Sequence, residues 1–329
     1  MAKRIRVGFH DRCFDGTSSA AVFSRFYREC IDPQAQFHYS GLVHQPAGQS
    51  FDESIFDGDE NVIVDFKYSP SPRLTWWFDH HQSAFLTAQD AEHYRRNPSD
   101  KKFYDPAYKS CTKFLADVAA ERFGFQSQPL TELIHWADII DGAQYESPEA
   151  AVRMNVPATQ LALVIEASGD DGMTIRLIPE LATKSLEEIM RLPFVAREFQ
   201  VLYNRHENSL EMLQRHSACE RGVAFFDVID YPLEGYNKFI PYYIYPDCFY
   251  SVGLSRSPQR IKVSVGSNPW LQPPPDRDKN LASLCERHGG GGHARVAAIS
   301  FSLDQVEKAR AAARTIVEEL RGQKTENRK

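Results

Sequence analysis

Apolar and polar residues alternate through Arg4 to His10 (RIRVGFH), a period of two that predicts an opening β-strand. A polar turn follows, and a helix is expected from about Ser18. Asn61 to Asp65 (NVIVD) and Thr75 to Phe78 (TWWF) predict two more strands, each ending abruptly in an acid. Strand, turn and helix units in this order predict a parallel α/β sheet. Ligands collect outside the carboxyl ends of such strands, so His10, Asp65 and Asp79 to His81 are expected along one edge. Leu115, Val118 and Ala119 recur at helical spacing within Ser110 to Phe123, as do Leu133, Trp136, Ala137 and Ile140 within Leu130 to Ile140.

From Ser185 to about Glu220 the pattern is that of a long charged helix, broken or kinked near Pro193, and it reads as a linker. Beyond Gly222 the texture changes to short alternating runs: VAFFDVI, FIPYYIY, SVGLS and RIKVSVG. A helix is expected over Asn280 to His288, then GGGGH, a strand in ARVAAISF and a last helix from about Leu303 to Leu320. The predicted architecture is α/β with two domains. A parallel-sheet domain occupies residues 1–184, a helical linker 185–221, and a smaller α/β domain 222–329. The length of 329 residues suits two cores at roughly 150 residues each.

Composition narrows the partners. With 42% hydrophobic and 25% charged residues, disorder, a collagen repeat and a coiled coil are poor fits. The formal charge of −6 gives no global field for gathering a polyanion, so a nucleic-acid substrate is expected to be short rather than a long duplex. No run of 18 apolar residues occurs, and no apolar stretch follows the basic start, so neither a membrane span nor secretion is expected. The six cysteines form no CxxC pair and read as reduced thiols of a cytoplasmic protein.

The strand ends carry the chemistry. In FDHHQSAF, Asp79, His80 and His81 follow an aromatic strand, where a turning backbone lets both imidazoles reach one cleft. A neutral imidazole is a good metal ligand, and an adjacent carboxylate can fix its tautomer. FHDRCFDGTSSAA adds His10, Asp15 and the permissive Gly16. Asp65 ends NVIVD, and WADIIDGA places Asp138 and Asp141 three apart on one helical face, where like charges want a cation or separate partners. Together, His10, Asp15, Asp65, His80 and Asp138 make an oxygen and nitrogen set suited to two hard or borderline divalent ions.

With these motifs in this order, the sequence resembles the DHH phosphoesterase superfamily. HDRCFDG is similar to its first motif, VIVD to its second, FDHHQSA to its third and ADIID to its fourth, while ERHGGGGHARVAA resembles the GGGH signature of the DHH-associated C-terminal domain. Within the superfamily the likeness points to nanoRNase and bisphosphate-nucleotide phosphatase types. The resemblance implies hydrolysis of phosphodiester or phosphomonoester bonds of short nucleotides by a metal-activated hydroxide. It implies manganese, two ions, with magnesium or cobalt as substitutes, in a cleft between domains. Carried over by motif position, His10, Asp15, Asp65, His80 and Asp138 are metal ligands with Asp65 the bridge, and Asp141 is an alternate or additional ligand. His81 contacts the scissile phosphate and Asp79 orients the histidine pair.

Several points stay open on the sequence. The common first motif has two aspartates two residues apart, and here Thr17 follows Asp15-Gly16, so one carboxylate is missing. The spacing resembles a variant with Cys13-Phe14-Asp15-Gly16; Asp11 or a water could fill the position. In the C-terminal region, Gly290, Gly291 and Gly292 offer backbone N–H groups to a phosphate, His293 supplies a donor, and Arg256 resembles a phosphate-gripping arginine. Trp270 is either core or a base-stacking platform. The alternatives to a nucleotide phosphoesterase are a pyrophosphatase or polyphosphatase, and a nucleotide-binding sensor whose altered first motif no longer supports catalysis. A homodimer is left open.

Overall fold

The computed structural model describes residues 2–43, 52–231, 233 and 235–322. The chain divides into two compact units, one of Met1–Gln144 with Asn155–Leu202, the other of Tyr145–Met154 with Tyr203–Lys329.

In the first unit, β1 (Arg4–His10) is followed by α1 (Phe14–Cys30), β2 (Gln36–Leu42), β3 (Glu60–Val64), β4 (Leu74–Asp79), α2 (Ala88–Arg96) and β5 (Lys102–Tyr104). The strands form one sheet in the order β2-β1-β3-β4-β5, and every neighbouring pair is parallel. The chain steps from β1 to β2 on one side and then to β3 on the other, so the winding reverses between β1 and β3, where open α/β sheets hold their ligands. Both faces are buried, as the period of two requires: Val62, Val64, Trp76 and Phe78 enter one core, while Ile63 and Trp77 enter the other. Trp76 donates its indole N–H to Glu60 at 2.7 Å, which satisfies the polar handle of a fully buried ring.

Helices α3 (Cys111–Phe123) and α4 (Thr131–Asp141) follow. The short α5 (Pro148–Val152) belongs to the second unit, and α6 (Pro157–Ala167), α7 (Met173–Leu181) and α8 (Leu186–Met190) belong to the first. The interruption expected at Pro193 is a helix start: α9 (Pro193–His216) begins there, and its residues to Leu202 fall in the first unit and the rest in the second. Proline suits that place because its missing N–H would have no partner in a first turn. Likewise α1 begins at Phe14 rather than Ser18, because Cys13 is already extended at φ −122° and the turn is confined to Asp11 and Arg12.

The second unit contains β6 (Ser217–Glu220), β7 (Val223–Asp227), α10 (Ile240–Ile244), β8 (Tyr250–Arg256), β9 (Ile261–Ser267), α11 (Leu281–Glu286), β10 (Gly291–Gly292), β11 (Val296–Phe301) and α12 (Val306–Leu320). Its sheet runs β10-β11-β9-β8-β7-β6, with β7 and β8 parallel and the other neighbours antiparallel. Val252, Leu254, Val263 and Val265 pack with Leu281, Leu284, Ala313 and Ile316. FIPYYIY, expected as a strand, is the helix α10: Pro241 sits in its first turn, and Ile240, Pro241 and Tyr242 are buried together. Residues 145–154 join this unit through backbone carbonyls, with Asn237 Nδ2 donating to Ala151 at 2.8 Å and Trp270 Nε1 to Tyr145 at 2.7 Å. Among the described residues, no helix is long and apolar enough to cross a membrane.

Candidate metal centre

Three adjacent parallel strands deliver the acids and imidazoles. His10 is the last residue of β1, Asp65 directly follows β3, and Asp79 ends β4 with His80 and His81 next in the chain. Asp65 takes a left-handed backbone, φ 56°, while its N–H still bonds the Phe78 carbonyl at 2.9 Å. Aspartate tolerates that conformation better than most residues. Its two oxygens face different partners. Oδ2 lies 3.4 Å from His10 Nδ1 and 3.7 Å from Cys13 Sγ, whereas Oδ1 lies 3.4 Å from His80 Nε2 and 3.7 Å from His81 Nδ1.

The histidines are held by their other contacts. His80 Nδ1 is 3.2 Å from the Tyr108 carbonyl, which can only accept, so Nδ1 carries a proton and, in the neutral ring, Nε2 carries the lone pair that faces Asp65, Asp15 at 3.6 Å and Asp141 at 3.4 Å. Asp79 is fully buried, and its Oδ1 accepts from His81 Nδ1 at 2.7 Å and from the backbone N–H groups of His80 and His81 at 2.8 and 3.2 Å. That triple contact fixes the pair and leaves His81 Nε2 as its outward nitrogen.

Asp15 stands in the first turn of α1, yet it caps another helix. Its carboxylate accepts from the N–H groups of Cys111 and Thr112 at 2.6 and 2.9 Å, at the start of α3. The two acids of the fourth motif part company. Asp141 joins His80 and Asp15, whereas Asp138 Oδ1 accepts from Ser110 Oγ at 3.2 Å and enters none of the ligand clusters among the described residues. Those clusters are His10, Cys13 and Asp65; Asp65, His80 and His81; and Asp15, His80 and Asp141, the ligand atoms of each lying within 4.8 Å of one another.

Buried atoms test whether cations fit. Asp65 Oδ1, Asp79 Oδ2 and His80 Nε2 are buried with no hydrogen-bond partner, a state that costs about 1–3 kcal/mol per atom unless something else satisfies it. The first and third belong to Asp65 and His80, the residues that the clusters share, and the nitrogen and oxygen donors suit divalent ions. Charge is correspondingly displaced among these side chains. Burial lifts Asp15 well above the usual carboxylate range, with Asp65 and Asp141 adding to it. Burial also opposes ionisation of Asp65, but the imidazoles of His10 and His80, each 3.4 Å from one of its oxygens, and the charge of His81 hold it below that range. Burial works against a charged His80 too, and the carboxylates of Asp65, Asp15 and Asp141 outweigh it, pushing the imidazole up to about 10.

A pH dependence follows. In the ion-free protein His80 holds its proton through neutrality, and an entering cation must displace it. Divalent-ion affinity is therefore expected to rise with pH, by about tenfold per unit for each displaced proton, until the pH passes the His80 value. Calorimetric titrations in buffers of different ionisation enthalpy would count the protons released. The His80 contribution to ion-free stability has the opposite sense: it is complete below the ordinary value of 6.5 and is lost as pH climbs through about 10.

Other expected positions resolve differently. Thr17 donates its hydroxyl to the Cys13 carbonyl at 2.8 Å, inside α1, and is fully buried there. Asp11 accepts from Thr174 Oγ1 at 2.7 Å and from the Arg12 N–H, and it enters no cluster among the described residues. On the first-motif side, Cys13 Sγ joins His10 Nδ1 beside Asp65 Oδ2; the Cys-x-Asp-Gly spacing singles Cys13 out without giving it a ligand role. Tyr108 and the start of α3 were also missed as supports, although Ser110 before the apolar helix is a readable cap.

In the second unit, Arg256 ends β8 and is exposed, as is His293, whose N–H bonds the Val296 carbonyl at 2.7 Å. The glycine run has structural reasons of its own. A Cβ on Gly290 would lie 2.4 Å from the Ala298 carbonyl, and Gly292 has φ 147° with the Val296 carbonyl 2.5 Å from a built Cβ, whereas Gly291 is open. Trp270 packs edge-on against Phe239 and donates its indole N–H to the Tyr145 carbonyl at 2.7 Å.

No protein-family model matches the chain, and no curated protein matches its sequence. Solved structures do. The pGpG-specific phosphodiesterase PggH from Vibrio cholerae aligns with a TM-score of 0.68 at 20% identity, over 96% of this chain and 99% of that one. RecJ from Thermus thermophilus in complex with Mn2+ gives 0.58 at 14% identity, over 97% of this chain and 52% of RecJ, so the chain spans about half of that protein. The DHH domain of a member of the s1p family of ribosomal proteins gives 0.56 at 14% identity, over 96% and 86%. At these identities the likeness establishes a shared fold and no more.

Proposed function

We propose that this chain, built on the DHH fold, is a divalent-metal-dependent phosphoesterase that hydrolyses phosphodiester or phosphomonoester bonds of short nucleotides. The observation that carries the reading is Asp65, a buried carboxylate at the sheet's switch point with one oxygen toward His10 and the other toward His80. Such a carboxylate suits a pair of cations, which when bound would acidify a water and offset charge developing on phosphoryl oxygens.

The chain's own residues then divide the work. His10, Asp65, His80, Asp15 and Asp141 hold the cations, with Asp141 rather than Asp138 from α4. His81, oriented by Asp79, presents its outer nitrogen as a hydrogen-bond donor to a phosphoryl oxygen, and the carboxylates around it raise its pKa even though burial opposes the charged form. In the second unit, Arg256, Gly291 and His293 are the groups that the motif likeness offers for holding a phosphate. A short substrate agrees with the net charge of −6. The name of the Vibrio relative makes a linear dinucleotide the first compound to try.

Purified protein with manganese should be offered pGpG, a second ribodinucleotide, adenosine 3′,5′-bisphosphate, a cyclic dinucleotide and pyrophosphate, alongside His80→Ala. Turnover of at least one linear nucleotide by wild type, absent in the variant, is expected. Turnover of pyrophosphate alone would replace the reading with a phosphoanhydride hydrolase. Tight nucleotide binding without turnover of anything would replace it with a sensor.

A further inference from the structure

The first-motif side of the centre contains a sulfur where oxygen and nitrogen were expected. Cys13 is the residue before α1, and its side chain does not cap that helix. Instead its Sγ lies 3.7 Å from Asp65 Oδ2, the same oxygen that lies 3.4 Å from His10 Nδ1. The three ligand atoms of His10, Cys13 and Asp65 are mutually within 4.8 Å. On the other side of the carboxylate, the unpartnered Asp65 Oδ1 and His80 Nε2 face a set with no sulfur, Asp15, His80 and Asp141. The two halves of the centre are chemically unequal.

We propose that Cys13 is a thiolate ligand that makes the His10, Cys13 and Asp65 half of the centre selective for thiophilic divalent ions, while Asp15, His80 and Asp141 form a second site of nitrogen and oxygen donors. The proposal rests on the metal-dependent reading above. On binding, the Sγ–H bond breaks, its proton passes to solvent or buffer, and the sulfur electron pair forms the bond to the ion; no oxidation state changes. Thiolate prefers zinc, cobalt or cadmium to magnesium or manganese, whereas a carboxylate in the same place would leave both halves suited to hard ions. Cys111 is the natural control. It is fully buried nearby, but its Sγ bonds the Phe78 carbonyl at 3.4 Å and belongs to no cluster among the described residues.

The test is a cobalt titration of the full ion-free chain, read by near-ultraviolet sulfur-to-cobalt charge-transfer absorption and by bound-metal analysis. Wild type is expected to bind two cobalt ions and to show the band. Cys13→Ser should lose the band and retain one ion, Cys13→Asp should regain the second ion without the band, and Cys111→Ser should behave as wild type. Alkylation of wild type by iodoacetamide, followed by peptide mass spectrometry, gives a variant-free check in case the substitutions unfold the chain: cadmium should protect Cys13. Two bound ions with no band, or with Cys13 alkylated as fast as in the ion-free protein, would overturn the ligand assignment and leave the phosphoesterase reading standing. No bound ion at all would overturn both.

Discussion

Asp65→Asn is expected to lower metal-dependent turnover by about 10³-fold or more while the fold survives. The amide has one oxygen to offer where the carboxylate has two, and its NH2 group would face either the His10 and Cys13 side or the His80 side. Bound divalent ions should fall from two to at most one. The backbone has no quarrel with the change, because asparagine is among the few residues that accept φ near 56° readily. Asp65→Ala separates the two effects: it removes the same ligand but adds about 1–2 kcal/mol of left-handed backbone strain. Both variants should be equally inactive, and only alanine should melt clearly earlier. Turnover by Asp65→Asn within tenfold of wild type would mean that the carboxylate does not hold the cations and that the proposed function is wrong.

The sequence made this carboxylate findable because β3 is short, apolar and ends in a single acid beside a second strand of the same kind. A strand buried on both faces has nowhere to place a charge except its end, so the end of NVIVD was readable without coordinates. The same logic failed at the edges. β2 (QFHYSGL) and β5 (KFY) were not anticipated: neither has a buried residue, and β5 has only three residues, so their apolar signal is too weak to stand out. FIPYYIY failed for the opposite reason. Its aromatic and branched residues favour a strand, yet proline near the start of the run fits a helix's first turn, and tertiary burial decided the matter.

The centre was legible in its residue types and less so in its partners. Three-residue spacing on α4 could not choose between Asp138 and Asp141, since each acid needs only one neighbour; Ser110 takes the first and His80 the second. The first motif lacks an expected acid at Thr17, but Thr17 is turned into α1, and it is the Cys13 sulfur that lies beside Asp65. A one-dimensional motif identifies which residue is unusual, and only the three-dimensional contact identifies which one takes its place. The glycine run shows the converse. Read as a phosphate cradle, it proves to include two positions that packing alone requires to be glycine, which makes Gly291→Ala the informative substitution there.

Gly16→Ala is expected to be the most damaging one-carbon change near the centre. Intrinsically, alanine in a helix is favoured over glycine by about 1 kcal/mol, so propensity alone predicts a more stable protein. Geometry reverses the sign. A Cβ on Gly16 would stand 2.2 Å from the His10 carbonyl oxygen and 2.7 Å from His10 Cβ, and the first of these is backbone that cannot swing aside. Relief requires α1 to move away from the end of β1 by about 1 Å, at a cost of about 1–3 kcal/mol, which outweighs the propensity gain or cancels it. The same movement separates His10 from Cys13 and Asp15, so turnover should fall by about 10²-fold even where the protein remains folded. Gly169→Ala, in the same unit with nothing within 4 Å of its built Cβ, serves as the comparison and should stay within about 0.5 kcal/mol of wild type. Thermal melts with cobalt stoichiometry on the same samples would decide it. If Gly16→Ala melted later than wild type with both ions bound and full turnover, the close approach of α1 to β1 would not be what holds the first motif in place.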